Sequence, residues 1–380
     1  MNTPTALYTA LNRMPPQFKA LSLFSGCGGD SLGLERAGFS VVGFSEFMVG
    51  ATKTHLANFP DSVHLVEPVS GVSDITKIPD AVFEAHKDID IVFAGFPCQG
   101  FSAAGKKKAN DPRNQLFRQF VRVVKITKPA FFIGENVTGL LTMKSGPKET
   151  DPFMLDVIKG AFAEIGYSVT HKVLEASDYG VPQKRKRLLL VGWHSEKSFQ
   201  PESFWAAVSA WGAAKTLPKM SSFVRLTLEG AQKMDPRAIP DDFDTVALRV
   251  PDTEVVTGIP HSYVVLKSSE FDKEYLGKTH SRLLSCGKRD SPIHSEVLNL
   301  ENPCKTIICT YDHQPRLLVG LKNSGGSYIR CLLPDELKQI QGFPVEFELK
   351  GTKKEQVVQV GNAVPPAMVE AVARQLALLL

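Results

Sequence analysis

Cys98 is the side chain of this sequence best placed to act as a nucleophile. It follows the buried apolar run 90–94 within the segment 95–102, which reads Gly-Phe-Pro-Cys-Gln-Gly-Phe-Ser. Ligands of open α/β sheets bind outside the carboxyl ends of the strands, so the thiol is expected to face a functional crevice. Cations of the basic segment 106–113 would lower the pKa of the thiol and favour the reactive thiolate. Taken alone, such a cysteine can also be a small buried hydrophobe.

A carboxyl group is predicted to reach the same crevice. Glu135 ends the next apolar run, 130–134, and the ends of neighbouring strands lie at one edge of a sheet. Partial burial there would raise the pKa of the carboxyl group and make it a proton donor. A helix cap or a salt bridge is the alternative role for this group.

Basic side chains alternate along the segment that enters the last predicted strand, 187–192. Alternation places Gln183, Arg185 and Arg187 on one face and Lys184 and Lys186 on the other. Planar guanidinium groups on a single face can donate hydrogen bonds to a phosphate or a base carbonyl. A solvated charge run is the alternative interpretation.

A glycine turn, followed later in the sequence by a carboxylate, predicts a nucleotide-like cofactor. Gly26, Gly28 and Gly29 follow an apolar run and precede a helical pattern, which lets a ligand approach the backbone amides closely. Glu46 stands 20 residues after Gly26, the spacing at which an acid reaches ribose hydroxyls. The Gly-x-Gly-Gly spacing differs from the Gly-x-Gly-x-x-Gly of enzymes that bind NAD or FAD. Asp74 follows a further strand, where it would accept a hydrogen bond from an adenine amino group or form a surface turn.

The elements that must position these groups predict an α/β, doubly wound parallel sheet over residues 1–195. Strands are expected near 20–24, 40–44, 89–94, 130–134, 168–174 and 187–192. Helices are expected near 31–37, 50–58, 114–127 and 152–165.

The remainder of the chain predicts a second unit and a return to the first. Residues 196–328 are rich in Pro, Gly and short alternating segments, which indicates a smaller, irregular, strand-rich domain. A short helix is expected over 333–340, and a final helix after Pro365 and Pro366. An apolar stripe on that last helix, Met368, Val372, Leu376 and Leu379, must pack on another element.

Composition and charge narrow the functional class. The chain has 380 residues, of which 43% are hydrophobic and 22% charged, as is typical of a folded globular protein. No apolar run approaches the ~18 residues of a membrane span, so a membrane or secreted protein is not expected. The net charge is +4, from 44 basic and 40 acidic side chains. The charges are clustered, with basic zones at 97–128 and 276–330 and an acidic zone at 235–275. This clustering suggests that the basic surfaces of the protein bind a polyanion.

At this point the sequence resembles the cytosine-C5 DNA methyltransferases. The similarity lies in six motifs in family order, and it covers the chain except for its first fifteen or so residues and most of 196–300. The motifs are 24–29 (Phe-Ser-Gly-Cys-Gly-Gly), 97–99 (Pro-Cys-Gln), 135–137 (Glu-Asn-Val), 183–187 (Gln-x-Arg-x-Arg), 330–344 with Gln-Gly-Phe-Pro at its end, and 361–366 (Gly-Asn-Ala-Val-Pro-Pro).

The resemblance implies a Rossmann-like methyltransferase fold and S-adenosyl-L-methionine as cofactor, with no metal. Glu46 would bind the ribose, Phe47 and Ile75 would surround the adenine, and Asp74 would accept from its amino group. The implied cofactor-binding residues are Phe24, Ser25, Gly26, Cys27, Gly28, Gly29, Glu46, Phe47, Asp74, Ile75, Gly95, Pro97, Leu116, Asn362 and Ala363.

The resemblance also implies covalent catalysis on a cytosine flipped out of duplex DNA. Cys98 would attack C6, Glu135 would hold N3 and the amino group, and Arg185 and Arg187 would steady the base carbonyl, the thiol loop and the phosphate. Residues 196–328 would recognise the target, with their basic half facing the major groove. The predicted substrate-binding residues are Phe96, Gln99, Ser102, Asn136, Val137, Gln183, Lys288, Arg289, Thr306 and Ile307.

Other functions fit the sequence less well. The same chemistry on cytosine in transfer RNA is the principal alternative, although the recognition region is large for that class. A zinc cytidine deaminase needs Pro-Cys-x-x-Cys, and position 101 is Phe101. A DNA-binding module without catalysis would not need Cys98, Glu135 and both arginines. We expect a cytoplasmic, monomeric enzyme that acts on double-stranded DNA, whose cognate restriction endonuclease, if present, acts independently.

Overall fold

A seven-stranded sheet forms the centre of the first half of the chain. The computed structural model describes residues 15–97, 116–146, 148–236, 239–259, 284–287, 295–311 and 316–380. The strands of this half are β1 Phe18–Leu23, β2 Phe39–Ser45, β3 Val63–His64, β4 Ile91–Ala94, β5 Phe131–Asn136, β6 Tyr167–Glu175, β7 Gln183–Lys184 and β8 Lys186–His194. Their order in the sheet is β3-β2-β1-β4-β5-β8-β6, with β7 outside it.

Helices cover both faces of the sheet, which confirms the doubly wound α/β prediction. The helices of the described residues are α1 Gly29–Arg36, α2 Val49–Asn58, α3 Asp80–Glu84, α4 Phe117–Thr127, α5 Met154–Ala163, α6 Pro201–Ala213, α7 Pro334–Ile340, α8 Lys353–Asn362 and α9 Pro366–Ala377. Side chains of α1, α6 and α9 share a core on one face, and those of α3, α4 and α5 share a core on the other. The strands and helices expected in residues 16–195 are present, whereas β3, α3 and α6 were not predicted.

The direction of β8 corrects the prediction of a wholly parallel sheet. β8 pairs antiparallel with both β5 and β6, while the other neighbouring strands of the sheet are parallel. Parallel neighbours need a crossover of about a dozen residues or more, usually with a helix. The segment 176–185 between β6 and β8 is too short for one, so the chain turns back beside β6.

A second sheet gathers strands from the later part of the chain. These strands are β9 Gln232–Lys233, β10 Leu248–Arg249, β11 Leu284–Cys286, β12 Ser295–Val297, β14 Leu317–Asn323 and β15 Gly326–Cys331, while β13 Cys304–Lys305 pairs with β7. Their apolar side chains form a core together with residues of α7 and α8. The division of the chain at residues 195 and 328 stays a prediction. Within the described ranges, no helix is long and apolar enough to span a membrane.

The last helix, α9, packs closely on α1. Met368, Val372 and Leu376 are fully buried beside Leu34 of α1. Gly33 of α1 allows this approach, because a Cβ at that position would lie 2.5 Å from the Pro366 carbonyl oxygen and 2.7 Å from Cβ of Val369. Three residues of the predicted apolar stripe therefore return the chain end to the first sheet. The fourth, Leu379, lies beyond the end of α9 and is 46% exposed, so its predicted packing is wrong.

We expect Gly33→Ala to lower the free energy of unfolding by about 1–3 kcal/mol, because overpacking forces the two helices apart. Denaturant unfolding followed by circular dichroism measures this change. Gly160→Ala in α5 is the matched control, since nothing lies within 4 Å of a Cβ there. Equal destabilisation by both substitutions would contradict the close-packing role of Gly33.

Candidate active site

The carboxyl ends of β1, β4 and β5 meet at Gly95. A Cβ on this glycine would lie 3.7 Å from the Phe24 carbonyl oxygen and 3.8 Å from Oε2 of Glu135. The Gly95 amide donates to the Leu23 carbonyl at 3.2 Å. The glycine turn after β1, the segment after β4 and the carboxyl group on β5 are therefore direct neighbours.

Glu135 is paired with Arg187 of β8. Arg187 Nε lies 2.9 Å from Glu135 Oε1, and both side chains are about one-seventh exposed, at 14% and 15%. Burial raises the pKa of Glu135, and the charges of Arg187 and Arg185 oppose that rise. The pair places a carboxyl group with a raised pKa and a fixed guanidinium partner at the edge of the sheet, as proton donation to a base would require.

Arg185 lies on the same face of its segment as Gln183 and Arg187, as the alternation predicted. Its guanidinium group is buried and donates to two backbone carbonyls, those of Ile307 at 2.8 Å and Gly361 at 2.9 Å. Burial, followed by the charge of Arg187, lowers the pKa of Arg185. Arg187, not Arg185, therefore contacts the carboxyl group directly.

Asn136 holds the segment that leads to Cys98, the predicted nucleophile. Its Nδ2 donates to the Phe96 carbonyl at 3.1 Å, and its Oδ1 accepts from the Val137 amide at 2.9 Å. Phe96 is buried and Pro97 is half-buried. Cys98 follows Pro97 directly, but Cys98, Gln99 and Ser102 lie outside the described residues, so their predicted roles stay predictions.

The glycine turn has the backbone of a ligand cradle. Phe24, Gly26 and Gly28 have φ values of 55°, 55° and 90°, in the left-handed region that is rare for a side chain such as Phe24. A Cβ on Gly28 would meet the Phe59 ring at 2.5 Å, whereas one on Gly26 would meet nothing within 4 Å. The turn thus faces open space at Gly26. The buried Ser25 hydroxyl has no hydrogen-bond partner among the described residues.

Glu46 and Phe47 lie beside this turn. Glu46 accepts from the Gly26 amide at 2.8 Å and from the Met48 amide at 2.7 Å. Burial raises its pKa, and these two amides oppose the rise. Phe47 is 70% exposed, an unusual state for a large aromatic ring, whereas Ile75 is buried in the core beside the sheet. An exposed ring next to an oriented carboxylate is the arrangement that an adenine nucleoside would cover.

The other predicted cofactor residues approach the turn to different degrees. Gly29 lies against the segment 361–364, because its Cβ would meet the Val364 carbonyl oxygen at 2.3 Å and Cβ of Ala363 at 3.5 Å. Asn362 is exposed beside it. Asp74 accepts from the amide and the hydroxyl of Thr76 and forms a turn, at 2.9 and 2.8 Å. Leu116 packs on the core at the start of α4.

Two buried side chains at the glycine turn, those of Cys27 and Asp30, have raised pKa values. Burial, with Asp30 adding to it, raises the pKa of the Cys27 thiol well above its usual range, and its Sγ faces the Gln359 carbonyl at 3.7 Å. Cys27 is therefore a packing residue and a poor nucleophile. Burial also raises the pKa of Asp30 to about 7, although it accepts a hydrogen bond from Ser22. Asp30 was not predicted as a functional residue, because no residue spacing in the sequence indicates its burial.

Residues from the later part of the chain reach the site through β13. Thr306 donates its hydroxyl to the Lys184 carbonyl at 3.0 Å, and the Ile307 amide donates to Gln183 Oε1 at 2.9 Å. Lys288 and Arg289 lie outside the described residues. Gln341 was quoted only as part of a motif, yet its side chain is fully buried and bonded to Gln183 and to the Ala363 carbonyl. The glutamine of the Gln-Gly-Phe-Pro motif was the sequence signal that could have identified Gln341 as a site residue.

Comparison with known proteins agrees with this geometry. The family model described as "C-5 cytosine-specific DNA methylase" matches residues 18–377. The type II methyltransferase M1.HphI of Haemophilus parahaemolyticus is 32% identical over 93% of this chain and 85% of its own length. The type II methyltransferase M.DdeI of Desulfomicrobium norvegicum is 28% identical over 94% and 88%.

Solved structures share the fold. A putative DNA modification methyltransferase encoded within an E. coli prophage aligns with a TM-score of 0.65 and 24% identity, over 96% of this chain and 99% of that one. The Dnmt2 methyltransferase of S. pombe aligns with a TM-score of 0.60 and 15% identity, over 96% and 98%. With the family model spanning nearly all of the sequence, the chain belongs to the C-5 cytosine-specific DNA methylase family and is a DNA (cytosine-5-)-methyltransferase.

Proposed function

We propose that Cys98 and Glu135 act together on a cytosine flipped out of duplex DNA, and that the methyl group comes from S-adenosyl-L-methionine. The observation that carries this proposal is the meeting at Gly95 of the glycine turn, the Glu135–Arg187 pair and the segment that leads into Cys98. A cofactor on the turn and a base against Glu135 would be neighbours in this arrangement. A cytosine would have to leave the base stack of the duplex to reach the half-buried Glu135.

The residues of the turn fit the cofactor. When bound, S-adenosyl-L-methionine supplies an electrophilic methyl group on a sulfonium. Open space at Gly26, the unpartnered Ser25 hydroxyl and the exposed Phe47 ring support binding there. Glu46 would hold the ribose, Phe47 and Ile75 would enclose the adenine with Asp74 at its amino group, and Asn362 with Leu116 would lie toward the methionine end.

The chain's own groups would activate the base. The Cys98 thiolate adds to C6 of cytosine while Glu135 gives a proton to N3, so that electron density moves to C5 and C5 takes the methyl group. Solvent water then takes the C5 proton, Cys98 leaves C6 as the thiolate, and N3 returns its proton to the Glu135 carboxylate, which restores the aromatic ring of the methylated base. Arg187 orients Glu135 throughout, and Asn136 fixes the segment that carries Cys98.

We expect Phe47→Ala to weaken binding of the cofactor by roughly 5- to 150-fold, because stacking of a base on an aromatic ring contributes about 1–3 kcal/mol. Equilibrium dialysis with S-adenosylhomocysteine measures the change. Val69→Ala is the control, since Val69 is also exposed but has no predicted cofactor contact. Unchanged affinity in Phe47→Ala would remove this residue from the site.

Bisulfite sequencing of a duplex DNA library treated with the protein and S-adenosyl-L-methionine tests the proposed function. Conversion-resistant cytosines within one short sequence are the expected result, and they would define the target site. Methylation of transfer RNA with none of duplex DNA would instead establish the alternative substrate class. Because the relatives named above are type II methyltransferases, a role in restriction-modification is proposed, with a monomeric cytoplasmic enzyme and an independent cognate endonuclease.

A further inference from the structure

Two fully buried glutamines form a chain of hydrogen bonds between distant segments. The Ile307 amide donates to Gln183 Oε1 at 2.9 Å, and Gln183 Nε2 donates to Gln341 Oε1. Gln341 Nε2 then donates to the Ala363 carbonyl at 2.6 Å. Both side chains have an exposure of 0%. Each amide uses a donor on one side and an acceptor on the other, so the chain connects Ile307 to Ala363 without a gap.

Arg185 connects the same two segments beside this chain. It donates to the Ile307 carbonyl at 2.8 Å and to the Gly361 carbonyl at 2.9 Å. The amide and the carbonyl of Ile307 are thus both held, one by Gln183 and the other by Arg185. Gly361 also packs directly on this later segment, because a Cβ there would lie 2.4 Å from the Cys309 nitrogen.

The two ends of this hydrogen-bond chain lie in regions with different predicted functions. The Ile307 end lies in the segment 304–307, within the region predicted to recognise DNA, and β13 pairs with β7 there. The Ala363 end lies against Gly29 of the cofactor turn. Between these two ends, the backbone runs from β7 into β8, where Arg187 pairs with Glu135. A shift at one end must either move the other or leave a buried amide unpaired, at a cost of about 1–3 kcal/mol per group.

We propose that Gln183 and Gln341 are positioning residues that couple binding of duplex DNA at segment 304–307 to binding of the cofactor at the glycine turn. This inference rests on the proposed function. DNA that fixes Ile307 would fix Ala363 and the turn through the two amides, so each ligand would tighten the binding of the other. Thermodynamic linkage requires that both ligands change each other's affinity by the same factor.

Calorimetric titration with S-adenosylhomocysteine, with and without a saturating duplex that carries the target sequence, measures this coupling. Coupling factors of about 5 to 150 are usual between linked sites, and the unsubstituted protein is expected to fall in that range. Gln341→Met and Gln183→Met retain side-chain length without hydrogen bonds, and each should reduce the factor to about twofold or less. The double variant should lose no more than either single variant, because one break interrupts the chain.

Gln359→Met is the matched control. Gln359 is another buried glutamine, whose side chain accepts from the Thr54 hydroxyl at 2.6 Å and donates to the Lys350 carbonyl at 2.9 Å. Its backbone carbonyl accepts from the Ala363 amide at 3.0 Å, a bond that the Met substitution leaves in place. It should lose thermal stability and keep the coupling factor. Because there are two positioning variants, Gln183→Met and Gln341→Met, the coupling can still be tested if one of them fails to fold.

The outcomes separate the two proposals. A protein that methylates duplex DNA but shows a coupling factor near one, or whose Gln341→Met and Gln183→Met variants keep the full factor, overturns the coupling and leaves the proposed function intact. Loss of coupling in Gln359→Met to the same extent also overturns it. Absence of methylation of duplex DNA by the unsubstituted protein contradicts the proposed function itself.

Discussion

Cys98→Ser is expected to eliminate methyl transfer, with a loss of at least about 10⁴-fold in kcat, as is usual when a covalent nucleophile is removed. The reason is that an alcohol is a far weaker nucleophile than a thiolate at neutral pH, so C6 addition and the activation of C5 are both lost. Transfer of tritiated methyl groups from S-adenosyl-L-methionine to duplex DNA measures the change.

Cys286→Ser is the control for this substitution. Burial, with Asp242 adding to it, raises the pKa of the Cys286 thiol to about 12, so this thiol is unreactive and its replacement should leave the rate unchanged. A duplex containing 5-fluorocytosine gives a direct test, because the C5 fluorine cannot leave as a proton does. The protein should form a stable adduct with this duplex, and an adduct that persists in Cys98→Ser would assign the nucleophile elsewhere.

Glu135→Gln is expected to lower kcat by about 10²- to 10⁴-fold, the usual contribution of a positioned general acid. Glutamine keeps the shape of the side chain and a donor for N3, but it cannot transfer a proton. Single-turnover methylation of the target duplex separates this effect from product release. Glu175→Gln is the matched control, because Glu175 pairs with Lys186 at 3.6 Å on the neighbouring strands and is not part of the site.

The rate of methyl transfer is expected to fall at high pH, as Glu135 loses its proton. A general acid works in its protonated form, so its contribution to the rate is level below its pKa and falls about tenfold per pH unit above it, whereas ionisation of the Cys98 thiol raises the rate with pH. Burial raises the pKa of Glu135, so the fall should begin at a higher pH than an ordinary glutamate would give. Arg187→Met removes an opposing positive charge and should move the fall to still higher pH. A profile that is identical in Glu135→Gln would exclude this carboxyl group as the acid.

Local patterns accounted for much of the site. The run of apolar residues before Cys98 and Glu135 predicted two strand ends, and strand ends of a doubly wound sheet lie at one edge. Alternation along 183–187 placed Gln183 and Arg185 on the buried face, as observed. These inferences succeed because strand and helix periods depend on residues a few positions apart.

The contacts that organise the site depend on long-range packing. Arg185 was predicted to steady the base carbonyl, the thiol loop and the phosphate, and this role stays a prediction. The fold brings its guanidinium group to the carbonyls of Ile307 and Gly361, which lie 122 and 176 positions away in the sequence. Gln183 and Gln341 are 158 positions apart. No local periodicity encodes such pairs, because they arise only when a later strand pairs with β7.

The sequence by itself determined the chemistry and the fold class of this protein: the glycine turn, the positions of its candidate nucleophile and acid, and an α/β sheet covered by helices. The tertiary structure decided the antiparallel direction of β8, the pairing of Arg187 with Glu135 and the chain of buried amides. The physical reason is that residue type and local spacing specify which groups and elements can form. Burial, and the requirement that every buried polar group find a partner, select which of them meet.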